Sequence, residues 1–432
     1  MKLLQKLRTN FFWFFDFIKG SPIKTHFKEV SNTFQIPFNK ESENNLIKIL
    51  SHSIQTTKYY KSLSISSKLL DFPVINKAII RESFDSFCSD KYNVSELIPV
   101  VTSGSTGTPF KVYHDKNKKL RNNADTIYFA SRAGFTVGDR LFYMKIFARQ
   151  KMASPFHYWM QNIVPVDVIK LNDTQIAELI GQMEKSGSTF GFLGYSSALE
   201  LVCKYLDKNR TEKVKANVKS IISMSESLND YTKEITKKYF GISAVSRYSN
   251  LENGIIAQQE PDGSGRYLIN TASYVVEILK MDSDEPAAPG KAGRIVVTDL
   301  FNYGMPLIRY DTGDIGTFST KSEDGNQYLS SIEGRKLDLL YDTSGNLVSS
   351  YIVYKNMWQY TEIMQYQLIQ EGQKEYTFKI NAEGAFTKED RLINEFKEYL
   401  GEDAVFNVEY VSEIPLLDSG KRRKIVNNYI KG

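Results

Sequence analysis

Apolar strand-like segments and amphipathic helical segments alternate along residues 165–300, and this alternation restricts the fold more than any other feature of the sequence. The segment NDTQIAELIGQMEKSG has a helical pattern, VKSIISMSESL begins as a buried strand, and NDYTKEITKKYFG is again helical. Apolar strands that are separated by helices are typical of parallel sheets with helices on their faces. The sequence therefore predicts the α/β class, with parallel or mixed sheets covered by helices.

The length and a change of pattern indicate two domains. A chain of 432 residues is too long for a single hydrophobic core. Near residue 336 the pattern changes to short strand-like segments around one helical segment, TKEDRLINEFKEYLG. We predict a large N-terminal domain over residues 1–336, whose first 95 residues or so are mostly helical, and a small α+β domain over residues 337–432.

Charge, cysteine and histidine content exclude several classes of protein. The 55 basic and 50 acidic residues leave a net charge of +5, which is too balanced to indicate nucleic-acid binding. Two cysteines provide no disulfide framework, and they favour a reducing, cytoplasmic compartment. The four histidines have no metal-ligand spacing to one another or to a cysteine, so no structural zinc site is predicted.

The N-terminal residues 1–20 combine a basic start with a dense aromatic stretch. Lys6, Arg8 and Asp16 interrupt this stretch, no small-residue cleavage site follows, and it is too short to span a bilayer. An amphipathic helix is therefore predicted, and it either docks on the protein's own core or lies on the inner face of a membrane. The apolar residues near one face of this helix are Leu3, Leu7, Phe11, Phe14 and Phe15.

The loop TSGSTGTPFK, residues 102–111, is rich in glycine and hydroxyl side chains and lies between two strand-like segments. Its glycines allow backbone N–H groups to close on an anion, and Lys111 adds a positive charge nearby. A Walker loop has the pattern G-x-x-x-x-G-K-[ST]. It is excluded because, with Gly104 as the first glycine of the pattern, Pro109 occupies the position of the second. The dinucleotide fingerprint G-x-G-x-x-G does not align here either. A phosphate-binding loop and an ordinary turn are the two remaining alternatives.

Three further segments carry side chains that suit nucleotide chemistry. Glu226 follows a buried strand, at the sheet edge where open α/β proteins bind ligands. In RYSNLENG, Tyr248 is suited to stack on a base and Glu252 to face a metal ion. In YGMPLIRYDTGDIG, we expect Asp311 and Asp314 on a tight glycine turn, where a carboxylate can accept both hydroxyls of a ribose. Capped turns and solvated acids are the alternatives.

Two basic residues complete the set. Arg335, in EGRKLD, lies where the large domain gives way to the small one. Lys421, in IPLLDSGKRRK, lies in a glycine-flanked loop near the C-terminus. This lysine is either a mobile cation that reaches a site or part of a solvated basic tail.

In this order along the chain, the motifs resemble those of the adenylate-forming superfamily, which includes acyl-CoA synthetases, the adenylation domains of peptide synthetases and the luciferases. TSGSTGTP is the most specific motif and RYDTGD the second. Within the superfamily, TSGSTGTPFKVYHD and FNYGMPLIRYDTGD are most similar to the phenylacetate–CoA ligase branch, which contains the capsular-polysaccharide-biosynthesis ligases.

This resemblance implies an ATP-dependent ligase that uses Mg²⁺ to adenylate a small carboxylic acid and then transfers the acyl group to coenzyme A. An amine acceptor, such as an amino sugar of a polysaccharide precursor, is the alternative. The family pattern Y-G-x-T-E is changed here to Tyr248-Ser249-Asn250-Leu251-Glu252. That change favours a third alternative, a catalytically inactive scaffold with the same fold.

The resemblance also implies a role for each residue of the large domain. Tyr248 would stack against adenine, in a pocket partly lined by the segment of Glu226, and Glu252 would help to hold Mg²⁺. Tyr195 and its neighbours would contribute to the acid pocket. The loop that would hold the β- and γ-phosphates of ATP comprises Ser103, Gly104, Ser105, Thr106, Gly107 and Thr108, with Lys111 beside it.

The remaining implied roles concern the boundary between the domains. Asp314 would bind the ribose hydroxyls, with Arg335 beside them. Lys421 would bridge the substrate carboxylate and the α-phosphate during adenylation. The small domain would be mobile and would rotate about a hinge near Leu337–Asp338 before the acyl transfer.

Overall fold

The computed structural model describes most of the chain in two compact units. The large unit comprises Met1–Thr102, Phe110–Thr312 and Thr317–Ser331, and the small unit consists chiefly of Ile332–Gly432. The predicted boundary after residue 336 and the predicted hinge at Leu337–Asp338 lie outside the described residues. The described residues are 2–35, 41–102, 110–147, 154–320, 325–335, 340–348, 351–357, 359–360, 362–382, 384–415 and 422–429.

Within these residues the helices and strands follow the predicted alternation. The α-helices are α1 (Lys2–Ile18), α2 (Pro22–Gln35), α3 (Glu41–Thr56), α4 (Lys77–Glu82), α5 (Phe84–Phe87), α6 (Lys116–Arg132), α7 (Pro155–Gln161), α8 (Asp173–Glu184), α9 (Ser196–Asn209), α10 (Asp230–Phe240), α11 (Tyr351–Met357) and α12 (Glu389–Leu400). The strands are β1 (Ile98–Thr102), β2 (Phe110–His114), β3 (Arg140–Lys145), β4 (Ile163–Asp167), β5 (Thr189–Tyr195), β6 (Asn217–Met224), β7 (Val245–Asn250), β8 (Gly254–Gln259), β9 (Tyr267–Ile269), β10 (Tyr274–Leu279), β11 (Ala292–Asp299), β12 (Tyr310–Phe318), β13 (Tyr328–Arg335), β14 (Leu340–Tyr341), β15 (Leu347–Val348), β16 (Ile363–Gln370), β17 (Glu375–Ala382), β18 (Val405–Tyr410) and β19 (Ile425–Asn427).

The largest sheet is mixed, as predicted. Its strand order is β10-β11-β12-β13-β9-β8-β7-β6-β5-β3-β4. The neighbouring strands β4, β3, β5, β6 and β7 are parallel to one another. The pairs β7–β8, β8–β9, β9–β13 and β10–β11 are antiparallel. Because the parallel strands share one direction, their carboxyl ends meet at one edge, and the α/β class is confirmed.

The core of the parallel half forms where α8, α9 and α10 cover the sheet. Phe192 on β5 and Cys203 on α9 are essentially inaccessible there. Each large apolar side chain that becomes fully buried contributes about 1.5–3 kcal/mol relative to an exposed one. Helix ends are set locally: Asn229 accepts a hydrogen bond from the Thr232 N–H at the start of α10, and Gly241 ends that helix in the left-handed conformation.

The small unit has its own sheet and core. The strand order β18-β17-β16-β19 combines one antiparallel pair, β16–β17, with two parallel pairs. Helix α12 packs on this sheet, and the Phe396 ring meets Phe378 of β17 edge to face with the ring centres 4.9 Å apart. The predicted α+β character of the C-terminal region is confirmed.

The N-terminal helix α1 forms as predicted, but the apolar residues predicted near one face do not dock on the core; Trp13, which is not among them, is half-buried and meets the Phe27 ring edge to face with the ring centres 6.0 Å apart. Gln5 and Asp16 are buried, whereas Leu3, Leu7 and Phe14 are more than half exposed. The alternative in which the apolar face docks on the protein's own core is therefore wrong. None of the helices in the described part of the chain is long and apolar enough to cross a membrane.

Candidate active site

The predicted phosphate loop is carried by a hairpin. Strands β1 and β2 pair antiparallel from Ile98↔His114 to Thr102↔Phe110, so they hold the two ends of the loop side by side. The prediction that strands flank the loop is confirmed. The loop residues Ser103, Gly104, Ser105, Thr106, Gly107 and Thr108 lie outside the described residues, and their phosphate-binding role stays a prediction.

Two cations that the motifs did not indicate lie at the loop end of this hairpin. The Lys77 ammonium is 5.3 Å and the Arg81 guanidinium 5.7 Å from the centre of the buried Phe110 ring. Both project from α4, where a spacing of four residues places them on one face of the helix. A helix with this spacing is visible in the sequence, but its approach to residue 110 is not.

Lys111 lies next to the loop in sequence but its ammonium is directed elsewhere. Successive residues of a strand point to opposite faces, so Lys111 faces away from the side of Phe110. Its Nζ lies 4.7 Å from the centre of the Phe84 ring and donates a hydrogen bond to the Tyr113 hydroxyl at 3.1 Å. Lys77 and Arg81 are therefore the better placed cations for an anion held at the end of the hairpin.

Glu252 contacts residues of α4, of β12 and of the hairpin strand β2. Its side chain is almost inaccessible, and Oε1 lies 2.8 Å from Lys77 Nζ. The Tyr310 hydroxyl donates to Oε1 at 3.2 Å, and His114 Nε2 lies 2.8 Å from the Glu252 carbonyl oxygen. His114 of the hairpin, Lys77 of α4, Glu252 of the Y-S-N-L-E segment and Tyr310 of the RYDTGD motif therefore converge within the large unit.

This environment can be tested for its fit to Mg²⁺. Magnesium bound with a nucleotide commonly uses one or two protein carboxylates, and phosphate and water supply the other oxygen ligands. In the described part of the chain no three acidic, histidine or cysteine side chains form a metal-binding group, and Glu252 is the carboxylate that the motifs assign to the ion. That arrangement fits Mg²⁺, but Lys77 competes with the ion for Oε1.

Tyr248 lies within β7 and is half-buried. Its hydroxyl donates a hydrogen bond to Thr312 Oγ1 at 3.2 Å, and Thr312 donates to the Ile295 carbonyl at 3.0 Å. The RYSNLENG segment and the RYDTGD motif are thus joined by a direct side-chain contact. The stacking of Tyr248 on a base stays a prediction.

The expectation of a tight turn at Asp311 and Asp314 is wrong. Both residues belong to the nine-residue strand β12, and the motif glycine, Gly313, has φ +81° within it. Only glycine adopts this conformation at little cost, which explains the glycine without a turn. The Asp311 carboxylate lies 2.7 Å from Arg294 Nη1, so Asp311 is a structural ion-pair partner. The Asp314 side chain is half-buried, and its contact with ribose stays a prediction.

Glu226 lies just after β6, as predicted, but its carboxylate binds a helix end. Oε2 accepts a hydrogen bond from the Ser197 N–H at 2.9 Å, and the Glu226 carbonyl accepts one from Ser196 Oγ at 2.9 Å. A carboxylate at the N-terminus of α9 is favoured by the helix dipole. The preceding Ser225 has φ +70°, a conformation that glycine adopts more easily. Glu226 therefore positions this segment, and its place in an adenine pocket stays a prediction.

The last two predicted residues are little described. Arg335 is the final residue of β13, and its side chain is outside the described part of the structure. Lys421 also lies outside the described residues. The roles of both residues therefore rest on the motif resemblance.

Arg247 is a buried cation that the sequence analysis did not single out. It lies beside Tyr248 in β7, is 7% exposed, and donates from Nε to Gln258 Oε1 at 2.9 Å. Its Nη2 is buried and has no hydrogen-bond partner among the described residues. Burial lowers the pKa of Arg247 to about 10. A buried, incompletely paired guanidinium is costly and suggests a ligand.

The surroundings of Arg247 include Tyr195, which the motif resemblance assigns to the acid pocket. Register pairs Arg247 with Met224 of β6 and Met224 with Tyr195 of β5, so these three side chains lie on one face of the sheet. Burial raises the pKa of Tyr195, and also that of Tyr143, which interacts electrostatically with Arg247. The carboxyl ends of the parallel strands thus present tyrosines and one arginine to the same side.

Comparisons with known proteins agree with this architecture. Residues 340–428 match the family model of the CapK C-terminal domain. The chain is 24% identical over 383 residues to Protein CapK of Staphylococcus aureus, with 82% of this chain and 79% of CapK covered. It is also 24% identical over 161 residues to indoleacetate–lysine synthetase of Pseudomonas savastanoi, with 37% of each chain covered.

A solved structure of 2-hydroxyisobutyryl-CoA ligase, in the postadenylation state with R3-HIB-AMP, is similar with a TM-score of 0.70 and 14% identity. The similarity covers 92% of this chain and 91% of that one. At such low identity the likeness establishes the fold, and it confirms the resemblance that the motifs indicated. The chain therefore has the fold of the adenylate-forming ligases, and its C-terminal region is similar to the CapK C-terminal domain.

Proposed function

We propose that the protein is an ATP-dependent carboxylic acid ligase that forms an acyl adenylate and pyrophosphate and then transfers the acyl group to coenzyme A. The observation that carries this proposal is the convergence of Glu252, Tyr310 and the loop-bearing hairpin within the large unit. Residues of three segments that are distant in sequence meet there, and this meeting supports a common ligand site.

The chemistry explains why cations are needed at this place. A carboxylate that attacks the α-phosphate of ATP brings two anions together, so positive charge must be positioned where negative charge develops. Lys77 and Arg81 provide fixed cations at the end of the hairpin. Lys421 would supply a further cation at the reacting atoms, and Mg²⁺, when bound at Glu252, would add positive charge beside the phosphate oxygens.

An amine acceptor is the second candidate, and the match to indoleacetate–lysine synthetase favours it. In this variant the acyl group would pass to an amino sugar or another amine, giving an amide instead of a thioester. Incubation with ATP, candidate acids and either coenzyme A or amino-sugar nucleotides distinguishes the two by product mass. A thioester supports the first candidate, an amide supports the second, and an adenylate without either product requires another acceptor.

Arg247 is the residue that would recognise the acid. Its Nη2, which has no hydrogen-bond partner in the described part of the chain, suits an electronegative group of the substrate, such as a second carboxylate, hydroxyl or carbonyl oxygen. A charge-assisted hydrogen bond of this kind contributes about 1.5–3 kcal/mol. The class of acid favoured is therefore one with a polar acceptor group in addition to the reacting carboxylate.

Replacement of Arg247 by methionine is expected to raise the KM for the acid about 10- to 100-fold and to leave the KM for ATP unchanged. Without substrate the same variant should have a higher Tm, because a buried and incompletely paired charge is removed. Arg210→Met is the matched control, since Arg210 forms an ion pair with Glu184 that is distant from the site. A lower Tm with equal loss of affinity for acid and ATP would contradict this role, because it indicates a structural function.

A further inference from the structure

Helix α1 is attached to the rest of the large unit chiefly through polar residues, together with Trp13, whose ring meets that of Phe27 at 6.0 Å. The Gln5 side chain donates to the Thr189 carbonyl at 2.9 Å and accepts from the Thr189 N–H at 3.2 Å. One turn further, Thr9 Oγ1 donates to the Val137 carbonyl at 2.5 Å. Because these contacts lie on one face, they determine which side of α1 is turned toward the protein.

The end of α1 is held as well. Asp16 is 4% exposed, and its two carboxylate oxygens accept the N–H groups of Ile23 and Lys24, each at 2.9 Å. This carboxylate therefore caps the N-terminus of α2. Helix α2 in turn packs on α6, where Phe34 stacks on Tyr128 with the ring centres 5.2 Å apart. The position of α1 is thus set at both of its ends.

The opposite face of α1 is apolar and exposed. This pattern is the reverse of an ordinary surface helix, in which the apolar stripe faces the core. A helix periodicity of three and four residues places these side chains on a single face. The apolar face consists chiefly of Leu3, Leu7, Phe11, Phe14, Phe15 and Ile18, which are 41–73% exposed.

Helix α7 extends this apolar face. The Arg8 guanidinium lies 5.3 Å from the centre of the Trp159 ring, which links the two helices. Trp159 is 60% exposed, and the Phe156 ring, 67% exposed, stacks beside it at 6.1 Å. Tryptophan with other aromatic residues is typical of protein surfaces at the level of lipid headgroups.

Positive charge is concentrated in the part of the sequence that carries the apolar face. The first 28 residues contain the basic residues Lys2, Lys6, Arg8, Lys19, Lys24 and Lys28. Asp16 is the sole acidic residue in this part of the sequence, and its carboxylate is buried in the cap of α2. The segment therefore combines exposed leucine and aromatic residues with an excess of positive charge.

We infer that α1, together with α7, docks on the surface of an anionic lipid bilayer, with the helix lying in the plane of the interface. Apolar side chains would enter the headgroup region, and the basic residues would face anionic headgroups. A second copy of the chain is a less suitable partner, because it would bring two sets of positive charges together. This inference does not depend on the proposed enzymatic function.

Sedimentation of the full chain with lipid vesicles tests the inference. The protein should bind vesicles that contain phosphatidylglycerol more strongly than vesicles of phosphatidylcholine alone, and added salt should weaken the binding. The double variant Leu7→Glu/Phe14→Glu should lose binding by at least about tenfold. The matched control is Ile47→Glu/Leu70→Glu, which changes two residues of similar exposure, 61% and 68%, elsewhere on the surface.

Two results would overturn the inference. One is equal sedimentation of the wild-type protein and the α1 variant, or no sedimentation with anionic vesicles at low salt. The other is a stable dimer in solution that the α1 variant dissociates, which would identify the apolar face as an interface between copies. Since the exposed side chains contribute little to the fold, the Tm of the variant should equal that of the wild type, and this measurement excludes loss of binding through unfolding.

Discussion

Replacement of Glu252 by glutamine is expected to lower the rate of acyl-adenylate formation about 10²–10³-fold. Glutamine keeps the shape of the side chain and can still accept the hydrogen bond from Tyr310, but it removes the negative charge that would hold Mg²⁺. Single-turnover formation of adenylate, measured over a range of Mg²⁺ concentrations, provides the rate. A higher Mg²⁺ concentration should restore only part of the lost rate of adenylate formation.

A second variant separates this role from a structural one. Lys77 is the ion-pair partner of Glu252, so Lys77→Met leaves the carboxylate free for the metal ion. If the Lys77 ammonium and Mg²⁺ compete for the Glu252 carboxylate, the Lys77→Met variant should reach its half-maximal rate at a lower Mg²⁺ concentration than the wild type. The variant also loses one positive charge near the phosphates. Glu252 would be merely structural if both variants lost activity in proportion to a common fall in Tm.

The second large effect is expected at Lys421. Lys421→Ala should lower the rate of adenylate formation about 10²–10³-fold, because it removes a cation from the place where the carboxylate meets the α-phosphate. Acyl transfer from a preformed adenylate should continue at nearly the wild-type rate, since that charge is then no longer required. Supplying the synthetic adenylate directly to the enzyme and the acceptor measures the second step alone.

Lys424→Ala is the control for Lys421. Lys424 belongs to the same basic segment, but its Nζ lies 5.0 Å from the centre of the Tyr366 ring and its carbonyl accepts the Leu368 N–H at 2.9 Å. It therefore has a local role in the small unit, and its loss should leave adenylation nearly unchanged. If the effects of the two substitutions were exchanged, the alignment of the C-terminal motif would be shifted by three residues.

Much of the fold could be predicted because its signals are local. The start of α10 is set by the Asn229 cap and its end by Gly241, and β6 buries the apolar residues Val218, Ile221 and Ile222. Gly313 led to the wrong prediction of a tight turn, because a glycine with positive φ is compatible with a turn and also with an irregular strand. Local sequence does not distinguish these two cases.

The site could be predicted only where its residues belong to contiguous motifs. The contact of Lys77 with Glu252 results from tertiary packing between segments that are far apart in the chain, and so does the burial of Arg247 Nη2 away from any hydrogen-bond acceptor of the described residues. Likewise, the apolar face of α1 was evident from its periodicity, but the side that docks depends on hydrogen bonds between Gln5 and the distant Thr189. Such contacts leave no periodic signal in the sequence.

The central claim, that this protein adenylates a carboxylic acid, is tested most directly by ATP–pyrophosphate exchange. The purified full chain would be incubated with ATP, Mg²⁺, labelled pyrophosphate and each acid of a panel of aryl, short-chain and dicarboxylic acids. We predict acid-dependent exchange with at least one acid, reduced about 10²–10³-fold in the Glu252→Gln variant. An absence of exchange with every acid, together with no detectable binding of ATP, would contradict the claim and favour an inactive scaffold.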